Sequence, residues 1–274
     1  MINLLAELNF QDNIDCFKSD FKEAEADVIY DISYMHQQNY KTEVENEILH
    51  EKFGCKIYEK ENKYLFVYKS GKRVPESDII VEVNRDGNRH QVYVPEIYQR
   101  ENLPVYLTPL LGIDVILPGF DRVMMHASIV RYENSAILFT GPSGIGKSTQ
   151  AELWKKYKGA SVINGDRAIL RVDNRIYAYG SPYAGSSGIY KNEFAPVKMI
   201  VLLKQGMENK IERIDGKEAY RMLFPRFLMT KWNKDMLMKT LELIEIILKK
   251  IPVYQLTCRP DEEAVELVYQ FFDI

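Results

Sequence analysis

Cysteine is scarce in this sequence, and the few cysteines are not paired. They are Cys16, Cys55 and Cys258. Because no two of them stand at a C-x-x-C spacing, neither a disulfide framework nor a zinc site is indicated. We interpret them as three reduced thiols of a cytoplasmic protein.

Long apolar runs and an excess of basic residues are also missing. No stretch of about 18 uncharged apolar residues occurs, so no membrane-spanning helix is predicted. The first residues, Met-Ile-Asn-Leu-Leu-Ala-Glu-Leu, contain no basic region and are a poor match to a signal peptide. Lys and Arg total 36 against 39 Asp and Glu, a formal net charge of −3. Without an overall positive field, we expect no nucleic-acid or membrane partner.

What the sequence does contain is an ordinary balance for a globular chain. Of its 274 residues, 46% are hydrophobic and 27% are charged. This length allows one large domain or two smaller ones, with a core that needs no disulfides. We place a domain boundary at 110/111, and the oligomeric state is left open.

Residues 1–110 are predicted to form a small, mostly antiparallel β-layer of unknown role. Two hairpins are indicated, and the second turns at Asp86-Gly87, a pair that tolerates positive φ. Their arms are Cys55–Lys60 with Lys63–Lys69, and 79–83 with 89–94. The histidines of this layer have no partner at metal-ligand spacing and are interpreted as surface residues. They are His36, His50 and His90.

Residues 111–274 are predicted to form an α/β domain, a mixed sheet flanked by helices, so that the whole chain is α+β. Short apolar runs bounded by turn residues indicate strands, and helical periodicity or capping residues indicate helices. The predicted strands are 123–132, 136–140, 161–164, 168–172, 175–178, 199–203 and 253–257. The predicted helices are 149–157, 226–250 and 260–272.

One motif in this second region carries recognisable chemistry. The segment Gly141-Pro-Ser-Gly-Ile-Gly-Lys-Ser148 fits the phosphate-loop pattern G-x-x-x-x-G-K-[ST] in full, between a buried strand and a helix. Its glycines let backbone N–H groups point at a phosphate, while Lys147 supplies a cation for the β- and γ-oxygens. The residues predicted to bind ATP are Gly141, Pro142, Ser143, Gly144, Ile145, Gly146, Lys147, Ser148 and Thr149.

A phosphate loop also needs Mg²⁺ and an acid on a neighbouring strand to hold it. Ser148 offers its hydroxyl to the metal. Asp166, just after the apolar run 161–164, is the best candidate for the acid. The alternative is that Asp166 is a turn or helix-cap aspartate. Arg167 and Arg259 are candidates for stabilising phosphoryl charge, with surface salt bridges as the alternative.

The segments around the motif resemble a known family. The run His126-Ala-Ser-Ile-Val, the apolar strand Ala136-Ile-Leu-Phe-Thr and the glycine motif together look like the catalytic domain of HPr kinase/phosphorylase, which is related to the ATP-dependent phosphoenolpyruvate carboxykinases. Uncharacterised HPr-kinase-like proteins are more similar. The segments shared with them are Asn164-Gly-Asp-Arg167, Pro182-Tyr-Ala-Gly185 and Cys258-Arg-Pro260. The resemblance runs from His126 to the C-terminus.

The resemblance implies a kinase that moves the γ-phosphoryl group of ATP to a serine of a protein or peptide. It implies catalytic roles for Lys147, for Asp166 as metal ligand and base, and for His126 near the γ-phosphate, and it leaves Arg259 as a further candidate. His126 has the alternative of a strand histidine packed beside the loop.

The sequence departs from the family at two places. The family has two adjacent aspartates where this chain has Gly165-Asp166, and its signature Arg-Gly-x-Gly-Ile is only echoed in 186–189. A nucleotide-binding sensor without transfer activity is therefore the competing hypothesis. The glycine- and serine-rich segment 180–188 is interpreted either as a loop that closes on substrate or as a plain surface loop.

Overall fold

In the residues that it describes, the computed structural model has two β-sheets and more strand than helix, which is consistent with an α+β fold. It divides into two compact units, Met1–Ile116 and Leu117–Ile274. No helix in the described part of the chain is long and apolar enough to cross a membrane. The residues that the structure describes are 2–4, 28–35, 47–52, 54–60, 62–69, 78–96 and 112–272.

In the described part of the first unit, seven strands form a sheet in the order β1-β2-β7-β6-β5-β4-β3. Its strands are β1 (Ile2–Leu4), β2 (Val28–Met35), β3 (Ile48–Lys52), β4 (Cys55–Lys60), β5 (Lys63–Tyr68), β6 (Ile79–Asn84) and β7 (Arg89–Pro95), followed by the short helix α1 (Ile113–Ile116). The pairs β1–β2 and β2–β7 are parallel, and the other four are antiparallel. The predicted antiparallel hairpins β4–β5 and β6–β7 are confirmed.

One histidine of this sheet corrects the sequence-based interpretation. His90, expected at the surface, is only 1% exposed, and its Nε2 lies 3.0 Å from the carbonyl oxygen of Gly87. Burial lowers the pKa of His90 to about 4. A neutral imidazole can be buried in a sheet when it forms a hydrogen bond with a turn carbonyl. The sequence around a single histidine does not reveal such a bond. His36 lies outside the described residues.

We expect the first unit to lose stability as the pH falls from 7 to 4, because of His90. In the unfolded chain a histidine takes up a proton near pH 6.5, but the folded unit resists it until about pH 4. The unfolded state therefore binds more protons in this window, and about 3 kcal/mol should be lost across it. Urea unfolding followed by amide hydrogen exchange in 79–95 measures this. A His90→Gln variant should flatten the pH dependence, and an equally steep dependence in that variant would contradict the assignment.

The second unit is built from eight strands and four helices within 117–272. Its strands are β8 (Arg122–Tyr132), β9 (Ser135–Thr140), β10 (Ser161–Asn164), β11 (Arg167–Val172), β12 (Ile176–Tyr179), β13 (Phe194–Gln205), β14 (Lys210–Ile214) and β15 (Val253–Cys258). Its helices are α2 (Lys147–Lys158), α3 (Gly216–Leu223), α4 (Lys234–Lys250) and α5 (Glu262–Phe272).

The strands of this unit pair in a closed circuit. β8 pairs antiparallel with β9 and with β11, β11 with β12, β12 with the start of β13, and β13 returns parallel to β9. β15 extends the sheet parallel to β13, and β14 follows antiparallel to β15. Along one edge, β8 pairs with two strands. Its first half pairs with β11 and its second half with β10.

Helices cover both faces of the central strands. Alternate residues of β9 point to opposite sides, as the period of a strand requires. Ile137 and Phe139 join a cluster with Trp154 of α2 and with α5. Leu138 joins the opposite cluster, which includes Ile244 of α4. A strand buried on both faces is apolar throughout, as the sequence of β9 is.

The predicted helix 226–250 is wrong at its start. The helix begins at Lys234, where the side chain of Asn233 accepts a hydrogen bond from the backbone N–H of Met236 at 3.0 Å. Before it, 224–226 form a 3₁₀ turn, and Phe227 is extended and bridges β8 at Met125. Pairing with a strand edge outweighs the helical periodicity here. Sequence analysis also did not assign β14 and α3.

Candidate functional site

The glycine motif forms a tight loop between β9 and α2. Gly141 has a φ of 153°, and a Cβ there would lie 3.0 Å from Ile145 and 3.3 Å from the carbonyl oxygen of Leu203. Gly146, the N-cap of α2, is left-handed, with a φ of 112° and no side-chain hydrogen bond to the helix. Glycine has no side chain that could cap a helix, so the first N–H groups of α2 receive no cap from position 146, an arrangement that suits an anion.

Lys147 is the first residue of α2 and folds back over the loop. Its side chain is only 8% exposed, and Nζ donates to the carbonyl oxygen of Pro142 at 3.3 Å. Burial is the main cause that lowers the pKa of Lys147. The negative charge of Asp166 opposes this shift, and the positive charge of Arg226 adds to it. Lys147 is thus a partly desolvated cation close to both an acid and a second cation.

Asp166 and His126 come together through strand pairing. Arg167 of β11 stands opposite His126 of β8, so the residue before Arg167 lies beside the histidine. His126 Nε2 is 3.3 Å from Asp166 Oδ1, and Arg167 Nε is 3.3 Å from Asp166 Oδ2. The hydrogen bond from His126 is the main cause that lowers the pKa of Asp166, although burial opposes it. The carboxylate is therefore ionised at neutral pH.

The end of β9 fixes this pair relative to the loop. The Thr140 hydroxyl donates to the carbonyl oxygen of His126 at 2.8 Å, and Thr140 stands immediately before Gly141. The backbone N–H of Ala127 donates to the carbonyl oxygen of Asp166 at 3.0 Å. Both candidate groups, His126 and Asp166, are therefore tied by short hydrogen bonds to strands that meet at the glycine loop.

Asn164 organises the turn that carries Asp166, a role that sequence analysis did not assign. Its side chain is fully buried. Its Oδ1 accepts from the backbone N–H of Asp166 at 2.9 Å and of Arg167 at 2.8 Å, while Nδ2 donates to the carbonyl oxygens of Ser181 and Tyr183. One amide thus joins the Asn164–Arg167 and Pro182–Gly185 segments, which the sequence alone shows only as separate motifs.

The glycine- and serine-rich segment packs against the acid. A Cβ at Gly185 would come within 2.7 Å of Asp166 Cβ, and a Cβ at Gly165 would fall 1.8 Å from Ser187 Oγ. Ser187 is itself held by donation to the carbonyl oxygen of Ala184 at 2.8 Å. Ser187 thus occupies the space that a side chain at position 165 would need, which is a physical reason for glycine in place of a second aspartate.

Replacing Gly165 with Asp is expected to destabilise the protein by about 1–3 kcal/mol, the usual cost of forcing extra atoms into a packed site. A Ser187→Gly change in the same chain should recover part of this loss, since it removes the atoms in conflict. Urea denaturation of both single variants and the double variant measures the coupling. Gly119→Asp is the matched control, because nothing lies near its Cβ position. A Gly165→Asp variant as stable as the control would refute this packing argument.

Ser148 opens on a cleft beside the acid-bearing turn. The cleft has a volume of about 140 Å³. It is lined by Ser148, Ala151, Glu152, Val162, Gly165, Ser187 and Ile189. Among the described residues, no group of three His, Cys, Asp or Glu side chains could hold a metal ion. A metal at this site would need oxygen ligands from a bound phosphate in addition to Ser148 and Asp166.

The other predicted residues are more dispersed. Pro142, Ser143 and Gly144 at the loop tip are exposed, as is Thr149 on α2. Arg259, at the end of β15, donates to Asp261 at 2.9 Å and to Glu263 at 3.0 Å. Within the described part of the chain, the structure records no contact of Arg259 with Lys147, His126 or Asp166.

Comparison with known proteins adds little to this geometry. No family model matches the sequence, and no curated protein is similar to it. Among solved structures, the HPr(Ser) kinase/phosphatase from Coxiella burnetii is a neighbour with a TM-score of 0.32 and 12% sequence identity. The alignment covers 55% of this chain and 88% of that one. A likeness of this size carries no argument about function, which therefore has to rest on the site itself.

Proposed function

We propose that this chain is an HPr-kinase-like phosphotransferase that binds ATP with Mg²⁺ and moves the γ-phosphoryl group to a hydroxyl, that of a serine in a protein or peptide. The observation that carries the proposal is the meeting of Lys147, at the end of a glycine loop, with the ionised Asp166 and its partner His126. Each is a residue type that phosphoryl transfer uses.

The residues fit a magnesium nucleotide. Backbone N–H groups at the start of α2 and the ammonium of Lys147 suit the β- and γ-phosphates. Ser148 and the carboxylate of Asp166 supply hard oxygen ligands, the kind that Mg²⁺ prefers. When bound, the metal would neutralise charge that develops on the phosphate oxygens. Lys147 would hold the nucleotide in line with the acceptor, so that positioning provides much of the catalysis.

The same acid also suits proton removal. The oxygen of the acceptor hydroxyl attacks the γ-phosphorus, the bond to the bridging oxygen breaks with its electron pair remaining on ADP, and the hydroxyl proton passes to the Asp166–His126 pair. Asp166 would therefore serve both as metal ligand and as base. His126 Nε2, 3.3 Å from Asp166 Oδ1, would orient the carboxylate in this role.

Transfer from γ-labelled ATP tests the proposal directly. The purified chain is incubated with Mg²⁺ and with serine, threonine and tyrosine peptides, proteins and small hydroxyl compounds, and products are resolved by mass. We expect label on a serine hydroxyl. Binding of ATP without label on any acceptor would contradict the transferase proposal.

A second candidate function is a nucleotide-binding sensor with little or no transfer. The observation that favours it is the closed space at Gly165, where Ser187 takes the place of a second acid. With a single carboxylate available for both metal binding and proton removal, the site could bind a nucleotide without catalysing phosphoryl transfer. Intact ATP recovered after long incubation with the protein and all of these acceptors would support this function over the transferase.

A further inference from the structure

Arg226 reaches the site through a backbone contact that the sequence does not reveal. It ends the 3₁₀ turn 224–226, which follows α3. The next residue, Phe227, makes an antiparallel bridge to Met125, and the backbone N–H of Leu228 donates to the carbonyl oxygen of Met124 at 2.8 Å. Arg226 thus directly precedes the residue that bridges β8 at Met125, one position before His126.

Two arginines therefore belong to segments that pair with β8 at His126 or next to it. Arg167 stands opposite His126, and Arg226 directly precedes Phe227, which bridges β8 at Met125. The guanidinium of Arg167 is engaged by Asp166 at 3.3 Å. The positive charge of Arg226 acts on Lys147, so Arg226 faces the same side of the unit as the glycine loop.

One hydrogen-bond donor of Arg226 also lacks an acceptor among the described residues. Its Nε is buried and has no hydrogen-bond partner among the described residues. A buried guanidinium N–H without an acceptor is costly, and it becomes favourable only when an acceptor arrives. The positive charge of Arg226 also acts on a second cation, Lys147, so the missing acceptor is expected to be an anion.

We propose that Arg226 binds the γ-phosphoryl group of the nucleotide and stabilises its charge during transfer. This inference rests on the proposed function and adds a catalytic residue to it. A guanidinium presents N–H groups in a planar fork that matches two phosphate oxygens, which a lysine ammonium does not. Lys147 would then hold the nucleotide along the loop, and Arg226 would contact only the group that is transferred.

Nucleotide affinities with and without the γ-phosphate test this assignment. The dissociation constants of ATP and ADP, both with Mg²⁺, are measured calorimetrically for the wild type, Arg226→Gln and Arg226→Ala. We expect either change to weaken ATP binding about 10-fold or more, as for a lost charge-assisted hydrogen bond, and to alter ADP binding by less than about 2-fold. Arg221→Ala, an exposed arginine on α3, should leave both constants unchanged.

The outcomes separate this inference from the proposed function. A wild type that binds neither nucleotide refutes both. A wild type that binds ATP, with variants that keep the ATP-to-ADP ratio or lose both affinities equally, refutes the role of Arg226 and leaves the proposed function standing. If the alanine variant does not fold, Arg226→Gln decides, because glutamine retains the stem and a planar polar end. Selective loss of ATP affinity supports the assignment.

Discussion

Replacing Lys147 with Ala is expected to weaken ATP binding about 100-fold or more. The change removes the cation that we place on the β- and γ-phosphates, and two charge-assisted hydrogen bonds account for a loss of this size. The folded protein should be at least as stable as the wild type, since burial lowers the pKa of Lys147 and its charge is thus held at a cost. Equilibrium binding of ATP, together with thermal unfolding, measures both effects.

Lys155→Ala is the matched control for this prediction. Lys155 lies on the same helix, α2, but its side chain is largely exposed and pairs with Glu152 at 3.8 Å. Its removal should change neither affinity nor stability appreciably. Equal ATP affinities for the Lys147 and Lys155 variants would show that the glycine loop does not bind phosphate, and both the kinase and the sensor proposals would fall.

Replacing Asp166 with Asn is expected to reduce phosphoryl transfer by about 10³-fold or more while leaving the protein folded. Asparagine keeps the size of the side chain and can still accept from His126, but it is a poor magnesium ligand and cannot take a proton. The expected reduction in transfer is this large because the change removes both a base and a metal ligand. ATP should still bind without metal, since removing a negative charge does not repel phosphate.

Two measurements make this prediction specific. The transfer rate is measured with the acceptor that the labelling experiment identifies, and ATP affinity is compared with Mg²⁺ and with a chelator. In the wild type Mg²⁺ should tighten binding, and in Asp166→Asn this gain should largely disappear. Asp173→Asn, in an exposed turn after β11 where Asp173 pairs with Arg171, is the control and should behave as wild type. Full transfer activity in Asp166→Asn would exclude the proposed chemistry.

Much of the fold could be predicted because it is local. The hairpins β4–β5 and β6–β7 and the strand–loop–helix around the glycine motif depend on turn residues and apolar runs that lie next to each other in the chain. The start of α4 could not be predicted this way, because its periodicity continues upstream through 226–233. There, the pairing of Phe227 with Met125 keeps the chain extended.

The candidate site likewise contains residues that the sequence reveals and residues that it does not. The glycine loop and Lys147 are visible in the sequence, since the motif is contiguous. The proximity of Asp166 to His126 and to the loop depends on the pairing of β8 with β11, and the role of Asn164 depends on hydrogen bonds to a later segment. Arg226 has no local signal at all. Only the pairing of Phe227 with Met125 brings the segment that carries Arg226 to β8, the strand of His126.

The parallel pairing of β9 with β13 has a consequence for how the protein acquires its site. Ala136 pairs with Val197, so the strand that holds the glycine loop finds its partner only after a long intervening stretch of chain has been made. Closing such a loop costs chain entropy before any contact repays it. During synthesis on the ribosome, the complete glycine motif would emerge well before β13, and it would gain its phosphate-binding geometry only when that later strand docks. Nucleotide binding would thus report on completed folding rather than guide its early steps.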